Sequence, residues 1–452
     1  MDYMGSMTNA NGIIRASRRA DTASGWKEPT QRFVLNILKE TRKLQKEIRG
    51  GSYQQGAGST FPLCENGHLR LIKALATRDL ILQHSLCDEV LFPALRRYLI
   101  HDNGASLKGK GISFTRRRFD EHLRRFYREH GTDGYILLID FRKFFDNIKH
   151  GELADSFHAK LRDAALDAFI RLALKSYEVD VSYSDDEGIE DKVFDSLAYA
   201  KIDKSLLTGK RFMAKSLGIG SPLSQIAGIF FPSRIDTYCK TVKRCKYYGV
   251  YMDDRYAIHE SKTFLHQLLD EIEEIASGMG LFVNRRKTQI VKLSHGFTFL
   301  KTKYILTETG RIVKKIPRDV VVRERRKLKK LAVLVEHGEM SIESFQEQYQ
   351  SWRGDKKRYD AQKTLENLDA LYKDLCRRLF IDQRRKLKEL AKAAAKEPDG
   401  IERFREEYQK WRGEKKRRQE GRKLKDMENF YRRLLKWLNR TKRTSSAKSR
   451  PS

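Results

Sequence analysis

The sequence predicts an α+β chain whose final third is entirely helical, on three observations. An apolar run ending in a single acid, Gly134-Tyr-Ile-Leu-Leu-Ile-Asp140, reads as a buried strand with its carboxylate at the edge. Between Lys246 and His259, two β-rich arms meet at Tyr251-Met252-Asp253-Asp254, a hairpin with adjacent carboxylates at its tip. From Pro317 onward the chain is charged and helix-favouring, with almost no strand signal.

Residues 1–26, rich in Ser, Ala, Gly and Asn, are expected to form a flexible lead-in. Over 27–49, Phe33, Leu35, Ile37, Leu38 and Leu44 stand among charges as the stripe of an amphipathic helix that Gly50-Gly51-Ser52 ends. Gly67–Leu75 reads as one arm of a hairpin. Thr77 opens a helical segment to about Leu99, with Leu80, Ile81, Leu86, Val90 and Leu91 on its apolar face. The loop Asn103–Gly111 contains Gly-Lys-Gly, a phosphate cradle or a mobile surface loop, without a Walker-type ending. A basic helix follows from Arg116. After Phe141–Ile148 a helix is expected from about Gly151 to Ser176. The acidic cluster Asp185–Asp191 reads as a solvated insertion. Next, Ile219-Gly220-Ser221-Pro222 feeds a helix whose N-terminal amides suit a phosphate or a template base. Ser261–Gly278 is amphipathic, and strands are expected through Phe297–Lys301 and Tyr304–Val313.

Composition narrows the partners. Lys and Arg number 92 against 60 acids in 452 residues, a formal +32. A balance that basic points to a polyanion bound through its phosphates. No apolar run of about 18 residues and no leader pattern is present, so nucleic acid rather than membrane is the expected polyanion. Five cysteines without a C-x-x-C pair fit a reduced, cytoplasmic protein rather than a zinc site or a disulfide framework.

The helical third contains a repeat. Arg325-Arg-Lys-Leu-Lys-Lys-Leu331 recurs at Arg384–Leu390, and the Phe345–Lys357 run recurs at Phe404–Lys416, both 59 positions on. Each copy is expected to be a small helical module anchored by Trp352 or Trp411, with basic faces and the tail Arg440–Arg450 lying along a nucleic-acid backbone.

An isolated Asp-Asp is ordinarily a solvated turn. Asp140 on a neighbouring strand changes that reading, because three close carboxylates repel unless cations lie between them. Such a set holds two Mg²⁺ about 3.5–4 Å apart and serves in-line displacement at phosphorus.

Over roughly 60–380 the chain resembles a bacterial or phage reverse transcriptase. The resemblance rests on Tyr251-x-Asp-Asp254, Asp140-x-x-x-Phe-Phe145, Gly220-x-x-x-Ser224-Gln225, Gly280-Leu-x-Val-Asn-x-x-Lys287-Thr and a Phe299-Leu300 hairpin, in the family's order. It implies a right-hand polymerase: fingers (27–134), palm (135–317), helical thumb (318–380) and a second thumb-like basic repeat and tail (381–452). By the same match Asp140, Asp253 and Asp254 bind two Mg²⁺ (Mn²⁺ a substitute), and Lys287 donates a proton to pyrophosphate. Arg70, Phe141, Phe145, Ile219 and Gly220 line the dNTP, with Phe145 excluding the ribose 2′-hydroxyl; Arg78 orders the fingers. Ser224, Gln225, Tyr251, Met252, Phe299, Leu300 and Lys301 face template and primer. Implied partners are an RNA template and primer, the RNA–DNA hybrid, dNTPs, and an accessory protein or structured RNA. The Ile219-Gly-x-x-x-Ser-Gln225 loop is most similar to diversity-generating retroelement enzymes, which miscopy template adenines. A phage-defence reverse transcriptase and a non-catalytic basic RNA-binding scaffold are the alternative readings.

Overall fold

The computed structural model describes residues 2–65, 68–396, 400–413 and 431–436. The chain divides into two units, the first Met1–Leu300 with Ile305–Ile312, the second Lys301–Tyr304 with Val313–Ser452.

Unit one begins with helices, α1 (Tyr3–Met7) and α2 (Ala10–Ser24), where a flexible lead-in is expected from composition. The reason is local. Asn9 caps α2, its Oδ1 accepting from the Asn11 amide at 2.9 Å, and Ile13, Ala16 and Ala20 form a narrow stripe that is fully buried. Small residues read as a linker here serve close packing instead. The single helix expected over 27–49 is two, α3 (Glu28–Leu35) and α4 (Ile37–Arg49), meeting at Asn36. That break turns the stripe, so Phe33 and Leu44 are buried while Leu35 and Leu38 face solvent.

β1 (Ser59–Glu65) and β2 (His68–Ala74) form an antiparallel hairpin that sets Leu63 opposite Arg70. α5 (Thr77–Leu86) continues through a π turn into α6 (Phe92–Leu95). In the Gly-Lys-Gly loop the Lys110 ammonium donates to the His101 and Asn103 carbonyls at 2.6 and 3.1 Å, so that cation serves the loop itself. Arg78 pairs with Glu47 at 2.5 Å and so ties α5 to α4.

α7 (Ile112–His130) precedes β3 (Tyr135–Ile139). The helix expected over 151–176 is α8 (His150–Leu161) and α9 (Ala164–Lys175), separated where Arg162 turns left-handed and Asp163 caps the second. The insertion carries β4 (Val179–Asp180), α10 (Ser196–Tyr199) and β5 (Phe212–Met213) around a small core of Val179, Val181, Phe194 and Met213. α11 (Pro222–Phe230), α12 (Ser233–Thr237), β6 (Tyr247–Tyr251), β7 (Asp254–His259), α13 (Lys262–Ser277) and β8 (Gln289–Lys292) complete the part that holds the acids.

Strands β6, β7, β3 and β8 lie in that order, every neighbour antiparallel. β3 is covered on both faces: Ile136, Leu137 and Ile139 are at most 2% exposed. α13 packs Leu265, Leu268, Leu269, Ile272 and Ala276 into this core, and each large apolar side chain so buried contributes about 1.5–3 kcal/mol. The hairpin tip is thereby fixed on a rigid sheet.

β9 (Phe297–Phe299), β10 (Thr302–Leu306) and β11 (Ile312–Lys315) carry the chain from one unit to the other. Unit two holds α14 (Arg318–Glu336), α15 (Ile342–Lys356), the long α16 (Gln362–Ala394) and α17 (Gly400–Gly413). Several positions 59 apart are buried alike. Leu328, Ala332 and Phe345 are buried, and so are Leu387, Ala391 and Phe404, each 59 positions later. Phe345 stacks on Tyr372 at 5.7 Å and Phe404 on Tyr431 at 5.3 Å, again 59 apart, so the copies extend beyond the two runs read in the sequence. The centre of the first copy is Phe345 and Tyr349, with Trp352 packed at its margin rather than anchoring it. The side chain of Trp411 and the tail Arg440–Arg450 lie outside the described residues. Among the described residues no helix is long and apolar enough to cross a membrane.

Candidate active site

β3 and β7 pair with Ile139 opposite Arg255, so the next step along the ladder sets Asp140 beside Asp254. β6 pairs Tyr251 with Asp254, leaving Met252 and Asp253 as a two-residue turn. Met252 has φ 56 and Asp253 does not share the positive sign, the pattern of a type II′ turn with Met where Gly is usual. Such a residue stores on the order of 1–3 kcal/mol of backbone strain. All four tip residues and Asp140 are half-buried.

The acids influence each other. Burial raises the Asp253 carboxyl above the ordinary range, and the negative Asp140 adds to it. The guanidiniums of Arg255 and Arg70 pull it back down, which brings Arg70 of the β1–β2 hairpin into the field of the acids. Asp140 is held by the run that follows α13. Asn284 donates from Nδ2 to its Oδ2 at 2.9 Å, and the Asn284 amide donates to its carbonyl at 2.8 Å. The Asp140 amide donates to Thr288 Oγ1 at 3.3 Å, and Lys287 Nζ stands 3.9 Å from Oδ2 while 71% exposed.

Carboxylate oxygens are hard donors that suit Mg²⁺. Among the described residues no three acidic, His or Cys side chains close into a complete ligand set. Mg²⁺ at phosphoryl-transfer sites takes one or two carboxylates and completes its shell from substrate phosphate and water, so the arrangement fits that ion.

Phe145 is half-buried, 5.2 Å from the Phe144 ring, and a Cβ on Gly228 would come within 2.9 Å of it, so glycine there makes room for the ring. The Ile219 backbone bridges Ile72 of β2, and Gly220 takes φ 108 and is exposed. Gln225 is exposed on α11, whereas Ser224 is buried and donates its amide to Oγ of Ser221, the residue that caps the helix, at 3.0 Å. Phe141 is buried beneath the Arg255 guanidinium. Phe299 packs between Phe119 and Tyr256 at 5.0 and 5.1 Å. Leu300 and Lys301 have φ 46 and 58, the two positive values of a type I′ turn, and the Leu300 carbonyl accepts from Arg116 at 2.7 Å.

Sequence reasoning assigned no role to Asn284 or Thr288, although both stand in a motif it quoted. It also passed over Arg255 and Asp236, a buried pair behind the turn. The available signal was a lone arginine opening the otherwise apolar run of β7.

Residues 86–304 match the family model for reverse transcriptase (RNA-dependent DNA polymerase). No curated protein matches the sequence. Solved structures with a similar chain include telomerase from Candida albicans in complex with a TWJ fragment of telomeric RNA, at 12% identity and TM-score 0.41, covering 74% of this chain and 58% of that one. Apo telomerase from Candida tropicalis matches at 15% identity and TM-score 0.37, over 65% and 56%. Its form truncated from the C-terminal domain matches at 14% and 0.38, over 57% and 55%. This chain thus spans under three fifths of the length of each. Residues 86–304 thus carry a reverse transcriptase domain.

Proposed function

We propose that the chain is the reverse transcriptase of a bacterial or phage retroelement, extending a primer 3′-hydroxyl with dNTPs on an RNA template. The observation that carries this reading is the placement of Asp140 on the strand beside the Asp253–Asp254 turn, with Arg70 in the field of Asp253. Asp140, Asp253 and Asp254 would hold two Mg²⁺, with Mn²⁺ as a substitute. Such ions activate the 3′-hydroxyl and neutralise the departing pyrophosphate.

The chain's own groups do the rest. Arg70 offers a planar fork of donors to triphosphate oxygens. Asn284 and Thr288 hold Asp140 by side chain and backbone. Lys287, exposed beside Asp140, hands a proton to pyrophosphate. Phe145 abuts the sugar and excludes a 2′-hydroxyl, while Phe141, Ile219 and Gly220 border the nucleotide. Ser224, Gln225, Tyr251, Met252 and Phe299–Lys301 guide template and primer, and fingers, palm and thumb follow the boundaries expected from the sequence. The basic helical repeats run along the hybrid, which the +32 charge favours.

Within this class the Ile219–Gln225 loop favours a diversity-generating type. An apolar residue at Ile219 removes a polar contact near the templating pair and loosens selection. Purified protein given primed, mixed-base RNA, dNTPs and Mg²⁺ should make cDNA with errors concentrated at template adenines, and Ile219→Gln should reduce them. Even copying would remove the subgroup; absence of DNA product on RNA, DNA and protein-hydroxyl primers alike would overturn the polymerase.

A further inference from the structure

Directly after the two acids of the hairpin, β7 turns an arginine inward. Arg255 is 0% exposed and its partner Asp236 on α12 is 1% exposed, with Nε 3.0 Å from Oδ1. Burying two charges is costly, and hydrophobic residues of similar volume commonly serve stability as well or better. Folding alone therefore gives little reason for a charge here.

The guanidinium makes contacts that no apolar side chain could. One terminal nitrogen donates to the carbonyls of Met252 and Asp253, each at 3.3 Å. These are the two residues of the turn, and Met252 is the one that takes a positive φ. Tyr248 of β6 donates to the same Asp236 oxygen at 2.7 Å, so Asp236 ties both arms of the hairpin to α12. The guanidinium also lies 5.2 Å over the ring of Phe141, the residue following Asp140.

The pairing is incomplete in a telling way. Asp236 Oδ2 and the second terminal nitrogen of Arg255 find no partner among the described residues. A side-on pair formed only for attraction would close that second, parallel contact. Here the arginine is turned to serve the carbonyls instead.

We propose that Arg255, oriented by Asp236, is the positioning residue of the metal-binding turn: it holds the strained Met252–Asp253 backbone so that Asp253 and Asp254 present their carboxylates toward Asp140. This rests on the reading of those acids as the Mg²⁺ ligands.

Arg255→Lys keeps the charge but loses the fork that reaches Asp236 and both carbonyls together. It should fold and bind primed RNA as the parent does. Its kcat should fall about 10- to 100-fold, the scale for residues that orient metal ligands, with a raised Mg²⁺ half-saturation and a KM for dNTP within about twofold. A folded Arg255→Lys with parental kcat and Mg²⁺ dependence would overturn the proposal. If that variant does not fold, Tyr248→Phe, which deletes one hydrogen bond to Asp236, should give a smaller rise in Mg²⁺ half-saturation; no rise would overturn it equally. Asp253→Asn is measured alongside. Activity in Asp253→Asn would remove the site reading itself, whereas an inactive Asp253→Asn beside a parental Arg255→Lys would remove only the positioning role.

Discussion

Each unit contains an arginine–aspartate pair, and the two are built differently. In unit one, Arg255 meets Asp236 through one direct contact, both side chains are buried, and the guanidinium's other contacts go to a strained turn. In unit two, Arg353 meets Asp369 through parallel contacts of 2.7 Å, Nε to Oδ1 and a terminal nitrogen to Oδ2, with 30% and 20% of the side chains exposed. The better-formed pair is the one in reach of water, where such pairs contribute about 0–1 kcal/mol. The unit-one pair places the atoms of a turn, whereas the unit-two pair lies beside the stacked rings of Tyr349 and Tyr372.

If that contrast holds, Phe345→Ala should cost on the order of 3–5 kcal/mol, because Phe345 is fully buried against Tyr349 and Tyr372. Arg353→Ala should cost about 1 kcal/mol or less. Denaturant unfolding of the two variants checks the order, and equal losses would break the contrast. Phe404→Ala should resemble Phe345→Ala in sign if the second copy packs as the first does.

Acid should strike unit one. Burial lowers His122 and His150 from the ordinary 6.5 to about 4, so both are neutral in the folded chain at pH 7. Between those values the unfolded chain binds protons that the folded chain refuses, so stability falls as pH drops from 6.5 toward 4. The loss is on the order of 3 kcal/mol per histidine at pH 4. His122→Gln should remove its share of that slope, measured by unfolding across pH, and an unchanged slope would remove His122 from the account.

The smallest effect concerns binding. Removing 381–452 should weaken affinity for primed RNA and flatten its salt dependence, since fewer phosphates are neutralised. An unaltered salt slope would make the second copy a protein-contact module.

The sequence carried the acid-bearing strands legibly because their signals are local: an apolar run that ends in Asp140, and two β-rich arms around Asp253 and Asp254. The 59-residue repeat was legible for the same reason, though its reach to Tyr372 and Tyr431 shows only in the matching ring stacks. The lead-in was misread because Ala16 and Ala20 look the same in a linker as in a close helix contact; only tertiary burial separates the two. Arg162 broke a continuous helical pattern through one left-handed residue, which composition does not signal. Asp236 and Arg255 were missed because they stand 19 positions apart, and only the antiparallel sheet and α12 bring them together.

The measurement that bears most directly on the account is Mg²⁺-dependent dNTP incorporation on primed RNA by the parent and by Asp253→Asn, with RNA affinity measured on both. The parent should extend the primer. Asp253→Asn should lose on the order of 10³-fold in rate, the scale of removing preorganised charge stabilisation, while binding RNA within about twofold of the parent. Equal extension by both proteins would contradict the site, and with it the reading of how this chain handles its substrate.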